Sequence, residues 1–151
     1  MSKVRDYQRA AVYKAEDLVF GKHNPPTMKC LGEVQGYMDR ITNSEYWQSL
    51  KGWKRVRVGD GRGRNRACYK PSSKQVCFPI WARSEWIVIH EMAHCLTHKT
   101  TGGYSAHGTH FCGHYLSLVE ELLGLDKAIE LSESFKSQGV RWYGWENRQA
   151  A

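Results

Sequence analysis

The sequence predicts an α+β fold in which helices enclose a small antiparallel three-stranded sheet. Apolar residues near the N-terminus recur at three- and four-residue steps, as on one face of a helix. Short runs of β-forming residues, separated by turn signals, occupy residues 53–78. From Ser84 the segment EWIVIHEMAHCLTH is apolar nearly all round, which predicts a helix buried at the centre of the fold.

Length and composition predict a single domain over residues 1–151. A chain of 17.4 kDa has room for one hydrophobic core, and 41% hydrophobic with 25% charged residues excludes low-complexity and disordered classes. No apolar run approaches the roughly 18 residues of a membrane span, and the charged N-terminus lacks the apolar core of a signal peptide. We therefore expect a cytoplasmic monomer with no membrane partner. The five cysteines, odd in number and without a CxxC pair, are expected to be reduced.

Three helices are predicted before the sheet. The first covers residues 4–19 and ends at Gly21 and the Asn24-Pro25-Pro26 turn. Its predicted inner stripe consists of Val4, Tyr7, Ala11, Ala15 and Leu18. The second covers residues 28–41, with an apolar face of Leu31, Val34, Met38 and Ile41. The third is short, with Asn43 or Ser44 as its cap and Trp47 and Leu50 facing inward.

The sheet is predicted as a meander of strands over 53–58, 64–69 and 75–78, joined by turns at 59–61 and 70–73. Three helices follow it. The helix that begins at Ser84 is broken by Gly102-Gly103, the next covers 109–123 and ends at Gly124, and the last covers 126–136 before an aromatic tail.

The central helix carries the motif His90-Glu91-Met92-Ala93-His94. Residues i and i+4 lie on one helical face, so both imidazoles can reach one ion while Glu91 lies beside them. This HExxH pattern is the zincin signature of zinc hydrolases. Three polar groups inside an apolar helix need partners, which disfavours a reading of two incidental core histidines.

A catalytic zinc requires a third protein ligand, and spacing alone leaves several candidates. The metzincin pattern is absent, because Thr97 and Thr100 stand where glycine and histidine are needed. The remaining candidates are His98, His107, His110, His114, Glu120 and Glu121.

The segment from His107 to His114 resembles a known family in its relation to the HExxH helix. HExxH, a short polar loop and then His107-Gly108 with Phe111 is similar to the SprT/Spartan zinc metallopeptidases, whose core reads HExxH followed by HGxxF. The likeness covers residues 56–124 and extends to an N-terminal segment, residues 5–17, typical of small bacterial and phage SprT-like metallohydrolases. The chain lacks the family's frequent C-terminal zinc ribbon.

The resemblance implies a zincin-like fold of the minigluzincin kind, in which a helix after the HExxH helix supplies the third ligand. It implies one Zn²⁺ held by His90, His94 and His107, with Glu91 as the general base that activates water for hydrolysis of a peptide or protein substrate. A further donor to the developing oxyanion is needed in such a reaction. Candidates for that donor, or for side chains that orient the ligands, are His110, Tyr104 and Tyr115.

The whole net charge of +7 falls between Lys51 and Lys70, where eight basic residues face one acid. Such a segment is typical of a surface that meets a polyanion, and it predicts single-stranded DNA as a partner through Arg55, Arg57, Arg62, Arg64 and Arg66. Trp47, Trp53 and Tyr69 are candidates to stack on bases, although core positions are the commoner use of such residues. The alternative is a solvated hairpin that contacts no nucleic acid.

A different class of function also fits the sequence. A non-catalytic nucleic-acid- or protein-binding module would use zinc only to join two helices. It would require a fourth protein ligand, for which Cys95 and Cys112 are candidates, and would leave Glu91 without a role.

Overall fold

The computed structural model describes residues 5–21, 25–102 and 105–148. Within these residues the helices are α1 (Arg9–Phe20), α2 (Leu31–Thr42), α3 (Glu45–Ser49), α4 (Glu85–Thr101), α5 (Thr109–Leu123) and α6 (Leu125–Ser137). The strands are β1 (Arg57–Gly59), β2 (Cys68–Lys70) and β3 (Gln75–Cys77), with short 3₁₀ helices at Pro71–Ser73 and Ile80–Ala82. The α+β class is confirmed.

Helix α4 is the centre of the molecule, as its sequence predicts. It packs against α2 and α5, and its residues from Ile87 to Ala93 are all buried. Helix α6 joins the core by packing against α5 and α1. Ser84 occupies the N-cap position of α4 without a capping side-chain hydrogen bond, and Gly102 ends the helix in the left-handed conformation, with φ of 75°.

The predicted inner face of α1 is wrong. The buried residues are Val12, Ala15 and Glu16, whereas Tyr7 and Leu18 are among the most exposed large hydrophobic residues described. Val4 lies outside the described residues. The face has rotated because positions 12, 15, 16 and 19 form the stripe that meets the core, and a carboxylate occupies one of them.

The sheet is mixed rather than antiparallel. Its order is β1-β3-β2; β2 pairs with β3 antiparallel, but β1 pairs with β3 parallel. The reason lies in α2, where the Gln35 side chain accepts from the Val58 N–H and donates to the Val56 carbonyl, both at 2.9 Å. This amide satisfies the edge of β1 that a hairpin partner would use, so β1 bonds to β3 through its other edge.

The short helix and the cysteines follow the predictions. The Ser44 hydroxyl accepts from the Trp47 N–H at 3.3 Å, which makes Ser44 the cap of α3, and Trp47 is 1% exposed. The five cysteines are free thiols, and Cys77, Cys95 and Cys112 are buried. None of the helices described is both long and apolar enough to cross a bilayer.

The C-terminal segment is held against α5 at Gly113. The Tyr143 N–H donates to the Thr109 carbonyl at 3.0 Å, and a Cβ built at Gly113 would meet the Tyr143 carbonyl oxygen at 1.7 Å. Only glycine allows this close approach of the segment to the helix that follows His107.

Candidate metal centre

Three imidazoles converge at the inner side of α4. His90 and His94 lie one turn apart on that helix, and His107 lies in the turn that precedes α5. The His90 Nε2 is 3.1 Å from the His94 Nε2 and 3.3 Å from the His107 Nε2. Among the residues described, this trio is the group whose ligand atoms are close enough to hold a metal ion, all within 4.8 Å of one another.

The structure therefore selects among the candidates for a third ligand. His107 joins the motif histidines, whereas His98, His110, His114, Glu120 and Glu121 are not in the cluster that the described residues form. One detail of the prediction is wrong: His107 precedes α5 by two residues and is not on a second ligand helix. A loop position is used because its backbone and ring are both fixed by other contacts.

Glu16 of α1 anchors the ring of His90. The His90 Nδ1 donates to the Glu16 Oε2 at 2.7 Å, and the Tyr115 hydroxyl donates to the same oxygen at 2.8 Å. Glu16 is 2% exposed, so its charge is compensated entirely by protein groups. A carboxylate that accepts from the far nitrogen of a ligand histidine orients the ring and raises its basicity as a ligand.

Asp6 performs the same task for His107. Its Oδ2 accepts from the His107 Nδ1 at 2.7 Å, while its Oδ1 accepts from the His107 backbone N–H at 3.1 Å and from the Ser105 hydroxyl at 3.3 Å. Gln8 adds a bond from its Nε2 to the His107 carbonyl at 3.0 Å. The residues just before α1 thus hold the loop that carries the third histidine.

His94 is positioned by packing and by the loop. Its ring stacks on Phe111 at 4.2 Å and makes a hydrogen bond with the backbone of Ala106. The Phe111 ring also lies 5.0 Å from His90 and 5.1 Å from His107. Phe111 therefore forms the apolar floor on which all three imidazoles rest, which gives a physical role to the aromatic residue after His107-Gly108.

The donor set fits a tetrahedral divalent cation. The Nδ1 atoms of His90 and His107 donate to carboxylates, which leaves their Nε2 atoms as the free nitrogens of the cluster. Nitrogen ligands at about 2.0–2.1 Å from a tetrahedral zinc stand about 3.3–3.4 Å apart, close to the observed separations. Buried nitrogens that face one another need a cation or a shared proton between them.

The pKa directions agree with that requirement. Burial, reinforced by the charges of His90 and His107, lowers the pKa of His94 well below 6.5. Burial also lowers the pKa of His107. Burial acts in the same direction on His90, but the Glu16 carboxylate outweighs it and raises the pKa of His90 above 6.5. Without a metal, one proton on His90 is shared with two neutral rings, and a divalent cation would replace that proton.

Glu91 lies beside the cluster at the junction of two cavities. One cavity, of about 280 Å³, is walled by aromatic residues including Trp81 and Trp86, and the other, of about 430 Å³, borders β2. Four residues line both cavities: Tyr13, Arg66, Ala67 and Glu91. Glu91 is 9% exposed, and burial raises the pKa of its carboxyl group.

The other predicted site residues have different fates. Tyr115 is fully buried and its hydroxyl is bonded to Glu16, so it orients a ligand partner and lines neither cavity. His110 packs edge-on against Tyr143 at 5.5 Å and also lines neither cavity. Tyr104 lies outside the described residues.

The predicted nucleic-acid residues Arg55, Arg57, Arg62, Arg64 and Arg66 are all exposed. Arg66 extends to the cavities, while Arg62 approaches Asp60 at 3.9 Å. Trp47 is a core residue, which confirms the commoner use of such aromatics at that position. The Trp53 ring is half-buried between the ammonium groups of Lys74, at 3.9 Å, and Lys99, at 4.8 Å.

Sequence reasoning missed Asp6, Tyr13 and Glu16. A signal for Glu16 exists: Val12, Ala15 and Val19 define an apolar stripe at helical spacing, and Glu16 is the polar residue within it. A carboxylate in such a stripe has to be compensated by a buried partner. Asp6 and Tyr13 carry no comparable pattern in the sequence.

Fold and site together define an α+β protein with a buried three-histidine cluster that can hold a metal ion. No family model, curated protein or solved structure matches the chain significantly.

Proposed function

We propose that this protein is a zinc-dependent metallopeptidase of the SprT-like kind. The observation that carries the proposal is the convergence of three buried imidazoles beside Glu91 at the junction of two cavities. Three histidine ligands leave one coordination position open, as in catalytic rather than structural zinc sites. Bound there, zinc would polarise a carbonyl group and lower the pKa of a water molecule to about 7.

The chain's own residues supply proton transfer and binding. Glu91 accepts a proton from the attacking water at a carboxylate oxygen and later delivers it to the nitrogen of the leaving amine. Glu16 and Asp6 hold the rings of His90 and His107 in place throughout. Strand β2 is at the end of the sheet and its residues Cys68 and Tyr69 line the larger cavity, so its outer edge can pair with an extended peptide.

A structural zinc in a non-catalytic binding module is the alternative. It needs a fourth protein ligand, and among the residues described no thiol joins the three histidines. The Cys112 Sγ instead approaches the His107 carbonyl at 3.7 Å. The alternative also gives no role to Glu91, which is buried next to the cluster and lines both cavities.

Metal content and hydrolysis test the proposal together. We expect one zinc per chain in the parent and in Glu91→Gln, with hydrolysis of unfolded casein in the parent only, because glutamine keeps the shape but accepts no proton. His107→Ala should lose zinc, and His110→Ala, the matched control, should keep it. Turnover by Glu91→Gln within tenfold of the parent, or stoichiometric zinc in His107→Ala, would contradict the proposed roles.

The substrates proposed are proteins at single-stranded DNA in the cytoplasm, acted on by a monomer. The support is the exposed arginine segment, in which Arg66 reaches from the basic surface to the cavities beside Glu91. Sedimentation of the zinc-loaded protein should give a single species of 17.4 kDa. A DNA titration at graded salt, described below, decides whether the basic segment has a nucleic-acid partner.

A further inference from the structure

Peptide hydrolysis needs a donor for the negative charge that develops on the carbonyl oxygen. The residues first considered for this task do not serve it: the Tyr115 hydroxyl is bonded to Glu16, and His110 packs against Tyr143 away from both cavities. The donor has to face the junction of the cavities, where Glu91 and the histidines meet.

Tyr13 of α1 lies at that junction. Together with Glu91, Arg66 and Ala67 it lines both cavities. Its ring centroid is 5.1 Å from that of His107 and 6.0 Å from that of His90, so the ring packs directly on two of the three ligands. Since Glu16 lies one turn further along the same helix, the helix that anchors His90 also fixes Tyr13.

Two guanidinium groups flank the Tyr13 ring. The Cζ of Arg9 is 5.7 Å and that of Arg66 is 6.0 Å from the ring centroid, and the Arg9 side chain also makes a hydrogen bond with the Tyr13 side chain. Positive charge beside the phenol strengthens it as a hydrogen-bond donor and favours an anion in front of it. With an ordinary pKa of about 10, the phenol retains its proton at neutral pH.

We propose that Tyr13 is a catalytic residue whose hydroxyl donates a hydrogen bond to the carbonyl oxygen of the scissile peptide as that oxygen becomes negative. The inference rests on the proposed peptidase function. The hydroxyl keeps its proton throughout, so the proton balance of the reaction remains with Glu91. Arg66 is a weaker candidate because it is exposed on the segment before β2, and a long free side chain loses more entropy on ordering.

Tyr13→Phe tests the inference, because it removes the hydroxyl and keeps the ring that packs on His90 and His107. Tyr7→Phe, on an exposed tyrosine of the same segment, is the matched control. We expect Tyr13→Phe to retain zinc and to lower kcat on unfolded casein about 100-fold, with KM within about threefold. Loss of packing alone would instead lower zinc retention or thermal stability.

A binding measurement separates this inference from turnover. Calorimetry on the zinc-loaded protein would compare a dialanine phosphinate peptide, a tetrahedral anion, with the uncharged alkene isostere of the same peptide. We expect Tyr13→Phe to weaken phosphinate binding at least tenfold and to leave alkene binding unchanged, while Tyr7→Phe affects neither.

Each outcome has a distinct meaning. If the parent hydrolyses casein and Tyr13→Phe matches it in kcat and phosphinate affinity within threefold, the inference fails and the peptidase proposal stands. If the parent is inert yet binds phosphinate in a Tyr13-dependent way, the hydroxyl is placed as inferred and only the peptidase proposal fails. If the parent neither hydrolyses casein nor binds phosphinate, both fail.

Discussion

Replacement of Glu16 by glutamine should weaken zinc binding although Glu16 is no ligand. The carboxylate accepts from the His90 Nδ1 at 2.7 Å and from the Tyr115 hydroxyl at 2.8 Å, and it is 2% exposed. Glutamine is of similar size, but it removes the charge that fixes the His90 tautomer and leaves one buried amide to satisfy two donors.

The magnitude follows from the kind of contact. Loss of the carboxylate behind a ligand histidine lowers metal affinity by about 10- to 100-fold, which corresponds to about 1.4–2.8 kcal/mol. The zinc dissociation constant would be measured by competition with a chromophoric chelator at pH 7. Asp17→Asn is the control, because it makes the same charge change one residue along α1, at a half-buried position that touches no histidine of the described cluster.

Two results would refute the reasoning. Zinc affinity of Glu16→Gln within twofold of the parent would show that the buried carboxylate does not support His90. Equal losses in Glu16→Gln and Asp17→Asn would show that the effect comes from the general field of α1 and not from the hydrogen bond.

Further predictions concern packing, pH and charge. Gly113→Ala should lower the free energy of unfolding by about 2–4 kcal/mol in urea titrations, because its Cβ collides with the Tyr143 carbonyl, whereas Gly36→Ala, with open space around it, should stabilise α2 by about 0.5–1 kcal/mol; a smaller effect at Gly113 than at Gly36 would contradict the close approach. Burial, reinforced by His110, lowers the pKa of His114 to about 4, so the unfolded chain binds the proton more readily and stability falls as pH drops from about 6.5 to about 4. Unfolding of the metal-free His114→Gln variant should depend less on pH in that window by about 1–2 kcal/mol, after a discount for partial exposure, and an unchanged slope would count against a buried neutral His114. If the basic segment neutralises about four phosphates, the slope of log K against log salt for single-stranded DNA should be about −2.8. The slope should flatten, with zinc unchanged, when glutamine replaces Arg55, Arg57, Arg62 and Arg64; equal, negligible binding by parent and variant at physiological salt would remove DNA as a partner.

The local parts of this protein are determined by the sequence alone. The i, i+4 spacing on an apolar helix is sufficient to place His90 and His94 on one face with Glu91 beside them, because helical geometry is the same wherever the helix packs. The bounds of α5 and the Ser44 cap are equally local, since each depends on residues a few positions apart. Residue spacing left the third ligand open, and only the resemblance to HGxxF favoured His107.

Tertiary structure decided the parts that depend on distant partners. Glu16 meets His90 across 74 residues, and Asp6 meets His107 across 101. The sequence disfavours a carboxylate on an inner stripe, and only its pairing with His90 and Tyr115 makes that face of α1 the buried one. The parallel pairing of β1 likewise depends on Gln35, which lies 21 residues from Val56. In each case a side chain from another element satisfies the polar group, and no local periodicity carries that information.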